Sequence, residues 1–203
     1  PYTLAVIVPF SNQFRRDVPA LYDELVKRLP LALAQKFDAT VFGGVTVPGS
    51  NFDTLKGCTA QEIGTDAYAG LVADHNGILN GWVLSPKGKA LLLNAVDGNK
   101  RPLFINSVAE GAVPMILGSK TVQSKGAYVS GAPDVVGFAG DWTQAVYGTV
   151  EGVQIAIADQ ATLDDGGTSI NLFQQNMFAV RAEIEVGFRC DTTVFNKLTK
   201  AAG

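Results

Sequence analysis

The feature that most constrains the fold is a long amphipathic stretch near the start of the chain. Large apolar residues recur there at the spacing of one helix face, at Val18, Leu21, Leu25, Leu29 and Leu33. The other face carries two charge pairs at i,i+4 spacing, Asp23–Lys27 and Glu24–Arg28. Asp17 is expected to cap this helix, Pro30 to kink it, and Gly43 and Gly44 to end it. The sequence therefore predicts one long helix that buries a single apolar stripe.

The residues on either side of this helix predict a chain of mixed helix and strand. Residues 2–9 alternate and are rich in β-branched side chains, which predicts a strand. Residues 45–57 are rich in Pro, Gly and Ser and indicate a loop at a domain boundary. The next lobe is predicted to contain a helix, a short buried strand and a second helix, at residues 65–74, 81–85 and 86–93. Residues 94–133 are predicted to be irregular chain with short strands.

The last third of the chain predicts β-structure. Residues 135–141 alternate, and residues 144–147 and 153–158 do so again on either side of the turn-like residues 149–152. This pattern predicts a β-hairpin. Residues 159–169 are polar and contain glycine, which predicts a loop. Residues 171–190 are predicted to form a long strand after that loop.

The composition excludes several classes of function. Charged residues make up 17% of the 203 residues, against about 25% in an average soluble domain. A formal net charge of −3 argues against a protein that coats nucleic acid. The apolar run at residues 4–10 is far shorter than the roughly 20 residues that span a bilayer, so no membrane partner is expected. The low charge indicates a surface committed to other copies of the chain.

No catalytic, cofactor or metal motif is complete in the sequence. Cys58 and Cys190 are far apart and only one histidine is present, so no zinc-ligand spacing occurs, and two free thiols in a reducing compartment are expected. His75 has no nucleophile in a recognisable setting. Residues 118–121 lack the lysine position and the first glycine of a phosphate-binding loop. Trp82 and Trp142 are expected to pack in a core or an interface, since no basic patch accompanies either.

Both ends of the chain resemble the tailed-phage major capsid protein family, with its Hong Kong 97-type fold. Residues 4–44 resemble that family's strand, short polar turn and spine helix that ends in a glycine pair. Residues 135–199, with the segment NLFQQNM at residues 171–177, resemble its hairpin, loop and final strand. The family's N-terminal arm and extended loop are not matched. The chain therefore resembles a fragment of a family member that starts after both.

The resemblance implies an α+β fold, the Hong Kong 97-type phage capsid fold, with a long spine helix, a peripheral β-hairpin and sheet domain, and an α/β axial domain. The peripheral domain would comprise residues 1–50 and 141–185. The axial domain would comprise residues 51–140 and 186–203. Its function would be that of a structural subunit of a phage or prophage icosahedral capsid, which forms pentamers and hexamers around the DNA genome. No enzymatic activity and no cofactor are expected.

The resemblance also implies sites and partners. The predicted polar loop would contact neighbouring subunits at three-fold positions through Asp159, Asp164, Asp165 and Ser169. Asn176 and Glu183 fall where some family members form an isopeptide cross-link to a lysine of the extended loop, although both residue types are also ordinary in a strand. Scaffolding protein, maturation protease and portal are candidate partners, and packaged DNA a non-specific one. The protein would reside in the virion after assembly in the bacterial host cytoplasm.

Two other functions remain open at this point. An encapsulin-like bacterial nanocompartment shell protein would share the fold and enclose a cargo enzyme instead of a genome. An enzyme built on the α/β lobe of residues 58–140 would need a deep pocket that converges on Asp74, His75 or Lys120.

Overall fold

The structure is a computed structural model that describes residues 2–47, 49–63, 78–96, 99–102 and 115–200. The helices are α1 (Asn12–Asp17), α2 (Pro19–Val41) and α3 (Pro86–Leu93). The first six strands are β1 (Tyr2–Ser11), β2 (Thr59–Ile63), β3 (Gly81–Leu84), β4 (Met115–Ile116), β5 (Ser119–Gln123) and β6 (Val135–Gly140). The others are β7 (Ala145–Ala158), β8 (Thr162–Asp165), β9 (Thr168–Asn171), β10 (Met177–Cys190) and β11 (Phe195–Lys200).

The chain divides into two compact units, which are described separately. Unit 1 comprises Pro1–Phe37 and Gly148–Gly187, and unit 2 comprises Asp38–Tyr147 and Phe188–Gly203. Among the described residues, the strands form a three-stranded sheet in the order β1-β10-β7, a six-stranded sheet in the order β2-β11-β6-β3-β5-β4, and the pair β8-β9. Over the same residues, no helix combines the length and the apolar character that crossing a bilayer requires.

The core of unit 1 lies on one face of the β1-β10 pair. The two strands are antiparallel, and alternate residues such as Leu4, opposite Ile184, and Phe10, opposite Phe178, point to the same face. The Phe10 and Phe178 rings stack at 5.6 Å, and Tyr22 of α2 meets both rings edge to face at 5.8 and 5.7 Å. The cross-strand aromatic pair and the helix therefore hold unit 1 together.

The predicted long helix is confirmed, but its start and its buried stripe differ from the prediction. Asp17 does not cap α2, because Ser11 caps a separate short helix, α1, of which Asp17 is the last residue. Of the predicted stripe, Leu29 and Leu33 are buried, whereas Val18 and Leu21 are 41% and 46% exposed. The spacing indicated a helix face correctly, but it does not say how far along the helix that face is covered.

The core of unit 2 lies between α3 and the six-stranded sheet. Its buried apolar side chains are Ile63, Trp82, Leu84, Leu92, Ile116, Val136, Ala139 and Leu198. Ser85 joins the helix to the sheet: its hydroxyl accepts a hydrogen bond from the N–H of Gly88 and donates one to the carbonyl oxygen of Val136 at 2.6 Å. The strand and helix predicted at residues 81–93 are confirmed.

Gly88 allows α3 to approach β6 closely, so replacing it should be costly. A Cβ at position 88 would lie against the carbonyl oxygen of Val136, a backbone atom that cannot turn aside. We expect Gly88→Ala to lower the free energy of unfolding by about 1–3 kcal/mol, as overpacking typically does. Gly57→Ala is the control, because nothing lies within 4 Å of its Cβ position. Urea unfolding followed by tryptophan fluorescence measures both, and equal losses would contradict the prediction.

The predicted β-hairpin between residues 144 and 158 is wrong. Residues 149–152 do not turn, and the chain runs through them as the single 14-residue strand β7. Gly148 and Gly152 both lack the positive φ that tight hairpin turns require, so they extend with the β-branched residues around them. The loop predicted at residues 159–169 is also wrong, because most of these residues form the β-hairpin β8-β9.

Two predictions fall on residues outside the described ranges. These are the helix at residues 65–74 and the position of His75 beside Asp74. The short-strand prediction for residues 94–133 is met within the described residues by β4 and β5, which pair antiparallel around Leu117 and Gly118.

An Asp-x-Thr turn precedes β7 and another precedes β11. The Asp141 carboxylate accepts hydrogen bonds from the Thr143 hydroxyl at 2.6 Å and the Thr143 N–H at 3.1 Å, and Asp191 binds Thr193 in the same way. The Asn80 side chain completes the first turn by donating to Asp141 at 2.8 Å. Because the Thr143 hydroxyl donates to its charged form, the pKa of Asp141 lies below its usual value.

This turn should make unit 2 sensitive to acid. The stabilisation by ionised Asp141 is fully present above the unfolded pKa of about 3.9 and is lost as the pH falls through the lower folded value. We expect Asp141→Asn to be less stable than the parent at pH 7 and the difference to shrink as the pH falls below the unfolded value of about 3.9. Thr143→Val should move that window to higher pH, because it removes the hydroxyl donor. Urea titrations across pH 2–7 test this, and a constant difference would contradict it.

Candidate assembly interface

β7 presents a long apolar strand to solvent at the edge of the three-stranded sheet. Thirteen of its 14 residues are exposed. In the part of β7 that belongs to unit 1, the exposed large apolar side chains are Val150, Val153, Ile155 and Ile157, which are 62%, 40%, 48% and 54% exposed. Consecutive strand residues point to opposite faces, so apolar groups are open on both faces of the strand. A long apolar edge strand is a pairing or contact site that soluble monomers avoid.

The hairpin β8-β9 follows β7 and carries the residues predicted to contact neighbouring subunits. Asp164 lies opposite Ser169, and Asp165 lies opposite Thr168. Gly166 and Gly167 form the turn with φ values of 60° and 95°, a conformation that favours glycine at both positions. The Asp164 carboxylate accepts a hydrogen bond from the Gly167 N–H at 2.8 Å, which stabilises the turn.

The four predicted contact residues are exposed and lie in an acidic segment. Asp159, Asp164, Asp165 and Ser169 are all exposed, and Asp159 lies in the bend directly after β7. No lysine or arginine occurs in the sequence between Lys125 and Arg181. The structure thus places Asp164, Asp165 and Ser169 on a strand pair instead of a loop, where the backbone fixes their spacing.

The two residues predicted for a covalent cross-link lie at different places along one strand. Asn176 precedes β10 with a φ of 52°, and its side-chain oxygen accepts a hydrogen bond from the Asn12 amide at 2.9 Å. Glu183 lies inside β10, opposite Ala5, and forms a 3.0 Å ion pair with Arg181. A strand rises about 3.3 Å per residue, so about 20 Å separates the two positions. The structure does not bring them together within one chain.

Glu183 also lines a small acidic cleft on the three-stranded sheet. The cleft has a volume of about 180 Å³, and its acidic side chains are Glu151 of β7 with Glu183 and Glu185 of β10. The spacing of Glu183 and Glu185 on alternate residues places both on the solvent-facing side of β10. Three carboxylates without an interleaved basic side chain add to the negative charge of this part of unit 1.

The two tryptophans and the two cysteines were also considered as candidate functional residues. Trp82 is buried and its Nε1–H donates to the carbonyl oxygen of Ile116 at 3.1 Å, whereas Trp142 packs edge to face on Phe195 at 5.0 Å. Both cysteines are free thiols. Burial raises the pKa of Cys58 to about 12 and that of Cys190 to about 11, so neither is a thiolate nucleophile at neutral pH.

Of the three residues named for an enzyme pocket, Asp74 and His75 lie outside the described residues. A cavity of about 550 Å³ in unit 2 is lined by residues that include Glu62, Asp134 and Lys200. Lys120 lies in β5 and is not among its lining residues. Within the described ranges, no three His, Cys, Asp or Glu side chains are grouped to hold a metal ion.

An exposed apolar edge strand and an acidic hairpin are typical of a structural subunit that contacts other chains. A profile of the Phage capsid family matches residues 1–191. The chain is 31% identical to the probable major capsid protein gp17 of Mycobacterium phage D29, over 98% of this chain and 69% of that protein. It is 24% identical to the major capsid protein of Staphylococcus phage 80alpha, over 98% of this chain and 64% of that protein. The chain belongs to the phage capsid family.

Solved structures confirm the fold class. A chain from Gordonia phage Cozz matches 99% of this chain and 70% of its own length, with a TM-score of 0.78 at 18% identity. A chain from the capsid of an empty GTA particle matches 99% of this chain and 74% of its own length, with a TM-score of 0.75 at 15% identity. The predicted α+β, Hong Kong 97-type phage capsid fold is therefore confirmed. The matches favour a phage capsid subunit over the encapsulin-like alternative.

The sequence analysis missed β7 as the main exposed surface. Its signal was present, because Val150 and Val153 stand an odd number of residues apart, so apolar side chains fall on both faces of the strand. A strand that covers a core on one face alternates between apolar and polar residues. The change of phase between Val150 and Val153 therefore indicated a strand with apolar side chains on both faces.

Proposed function

We propose that the chain assembles into pentamers and hexamers that close an icosahedral shell around the DNA genome of a tailed phage or prophage. The observation that carries this proposal is the exposure of β7, whose apolar side chains need a partner chain to leave water. Family membership supports other copies of the same chain as that partner. One matched structure is described as the capsid of an empty GTA particle computed with C5 symmetry, which supports five-fold rings. A ring requires contacts between two different surfaces of the subunit.

The proposal assigns a place in the shell to each part of the chain. Residues 1–50 and 141–185 form the peripheral domain, and residues 51–140 and 186–203 form the axial domain. The two compact units support this division, although the boundaries between the units fall after Phe37, Tyr147 and Gly187 and not after residues 50, 140 and 185. The hairpin β8-β9 meets neighbouring subunits at three-fold positions, and its exposed Asp164 and Asp165 support that role.

The proposed partners follow from the same role. Scaffolding protein, maturation protease and portal act on the shell during assembly in the bacterial host cytoplasm, and the finished shell is part of the virion. Packaged DNA is proposed as a non-specific partner only, and the acidic hairpin is not proposed to contact its phosphates. In the proposed cross-link, the amine of a lysine in the extended loop attacks the side-chain amide of Asn176, a carboxylate at Glu183 accepts the amine proton, and ammonia leaves as the isopeptide bond forms. Asn176 and Glu183 would then come from different chains, because about 20 Å separates the two positions in one chain.

Sedimentation velocity and electron microscopy of the purified chain test the proposal. We expect a concentration-dependent step from monomer to rings of five or six copies and to closed shells. Denaturing gels of the same material test the cross-link, because a covalent bond between chains survives boiling. A single monomeric species at the highest soluble concentration, across salt and pH, would contradict the assembly proposal.

A further inference from the structure

Two surfaces of unit 1 that carry exposed apolar side chains have opposite charge. The first, the strand surface, comprises the exposed side chains of residues 148–171 on β7 and the hairpin β8-β9. It contains the acidic residues Glu151, Asp159, Asp164 and Asp165 and no basic residue. The second, the helix surface, comprises the exposed side chains of residues 12–37 on α1 and α2. It contains five basic residues, Arg15, Arg16, Lys27, Arg28 and Lys36, and three acidic ones, Asp17, Asp23 and Glu24.

The helix surface is apolar as well as basic. Val18, Leu21 and Leu31 are 41%, 46% and 64% exposed on it. Leu21 and Leu31 are ten residues apart, so about 80° of rotation around the helix axis separates them. Arg28 lies beside them and pairs with Glu24 at 3.1 Å. Both surfaces therefore carry half-exposed aliphatic groups edged by charge.

We propose that the strand surface of one copy docks on the helix surface of a second copy. This inference rests on the proposed self-assembly and names the surfaces that carry it. Opposite charges at the rim steer and orient the two copies, while the aliphatic groups of β7 and α2 leave water together. The contact joins two different surfaces, so each copy keeps one of each kind free and the array continues to a ring.

The charge pattern excludes docking of the strand surface on itself. A two-fold contact between two copies of β7 and its hairpin would bring eight carboxylates together without a basic partner. Like charges that face each other across an interface repel, and interfaces reject wrong partners through such repulsion. The helix surface, with an excess of basic residues, has the complementary sign.

The length of the helix surface also favours it over the exposed edge of unit 2. Residues 148–158 of β7 extend for about 36 Å at 3.3 Å per residue, and residues 19–37 of α2 extend for about 28 Å at 1.5 Å per residue. The β4-β5 hairpin exposes Met115, Leu117 and Val122 beside Lys120, but β5 is a strand of about 17 Å. It would leave half of β7 uncovered.

Photo-cross-linking between isotope-labelled copies tests the docking directly. Ile155 is replaced by p-benzoylphenylalanine, and chains grown on nitrogen-14 and nitrogen-15 are mixed, assembled and irradiated. Mass spectrometry then separates cross-links between chains, which combine both isotopes, from those within a chain. We expect mixed-isotope cross-links from position 155 to peptides of residues 12–37. Cross-links to residues 148–171 or to residues 115–125 would overturn the inference.

Charge reversal tests the charge complementarity of the same contact. The variant Glu151→Lys, Asp164→Lys, Asp165→Lys should reduce the mixed-isotope cross-links from the labelled position 155 by at least about tenfold. Adding Arg16→Glu, Lys27→Glu and Arg28→Glu to the same chain restores opposite signs at every contact, so the cross-links should return. Failure of this rescue in a folded chain would overturn the inference. Lys120→Glu with Lys125→Glu is the matched control and should leave the yield unchanged.

The outcomes separate this inference from the proposed function. Rings or shells in electron micrographs whose cross-links lie outside residues 12–37 would overturn the named contact and leave self-assembly standing. Absence of any assembly by the parent chain would overturn both. Circular dichroism on every variant confirms that the exposed substitutions leave the fold intact.

Discussion

Replacing Trp82 by alanine should destabilise unit 2 by about 3–5 kcal/mol, the range for deleting a large buried aromatic side chain. Trp82 is 1% exposed and stands in β3 among Leu84, Val136 and Leu198. Its removal leaves a cavity between the sheet and α3 and also strips the carbonyl oxygen of Ile116 of its 3.1 Å hydrogen bond. Urea unfolding measures the loss through Trp142, the second of the two tryptophans and also in unit 2.

Trp82→Phe separates the two causes of this loss. The phenylalanine ring fills most of the volume but cannot donate to Ile116, so we expect a loss nearer to 1–3 kcal/mol, the cost of an unsatisfied buried acceptor. A loss below about 1 kcal/mol in Trp82→Ala would contradict the packing described for this core.

Local patterns predicted the elements whose boundaries local chemistry sets. Ser85 as the cap and Pro86 in the first turn define the start of α3, and both are visible in the sequence. The long helix was correctly predicted to continue past Pro30, because strong helix formers follow that proline. Ser11 is an equally local signal for the start of α1, because its hydroxyl accepts a hydrogen bond from the Phe14 N–H at 3.2 Å. The predicted helix nevertheless began too late in the sequence, because the prediction relied on the apolar spacing that starts at Val18.

Strand pairing between distant residues could not be predicted in this way. β11 lies between β2 and β6, with Asn196 opposite Thr59 in a parallel pair. The sequence of neither segment indicates a pairing partner 137 positions away. The short strand β2 also has only one buried residue, Ile63. Packing across the sheet selects such pairs, so β2 and β11 emerge only in the folded chain.

The candidate interface was predicted in part. The resemblance indicated Asp159, Asp164, Asp165 and Ser169 as contact residues, and all four are exposed in the structure. Their contact with neighbouring subunits stays a prediction. The apolar strand beside them was missed because residues 149–152 contain glycine and threonine, which read as a turn when considered alone. In the extended strand, Gly148 and Gly152 have open space at their Cβ positions, which leaves room for a partner to approach.

Introducing charge on β7 should abolish assembly without unfolding the subunit. In Ile155→Asp with Ile157→Asp, two half-exposed isoleucines lose their contact with a neighbour, at about 1 kcal/mol each for half of a side chain's burial. Each new carboxylate must also lose its hydration when the contact forms, and this desolvation adds a larger free-energy penalty. Together these terms raise the concentration needed for each contact by at least about a hundredfold. Sedimentation velocity should therefore show monomer where the parent chain forms rings.

Ile7→Asp provides the matched control for the β7 substitutions. Ile7 lies in β1 at the opposite edge of the same sheet, and its side chain is 48% exposed, as is that of Ile155. Because the control adds one carboxylate, it is compared with the single variant Ile155→Asp, and this pair tests whether the position, and not the added charge, decides the result. We expect Ile7→Asp to assemble as the parent does, because the docking contact engages β7 and leaves β1 free. Equal loss of assembly in both variants would show that added charge alone disrupts the shell, and the assignment of the contact to β7 would be wrong.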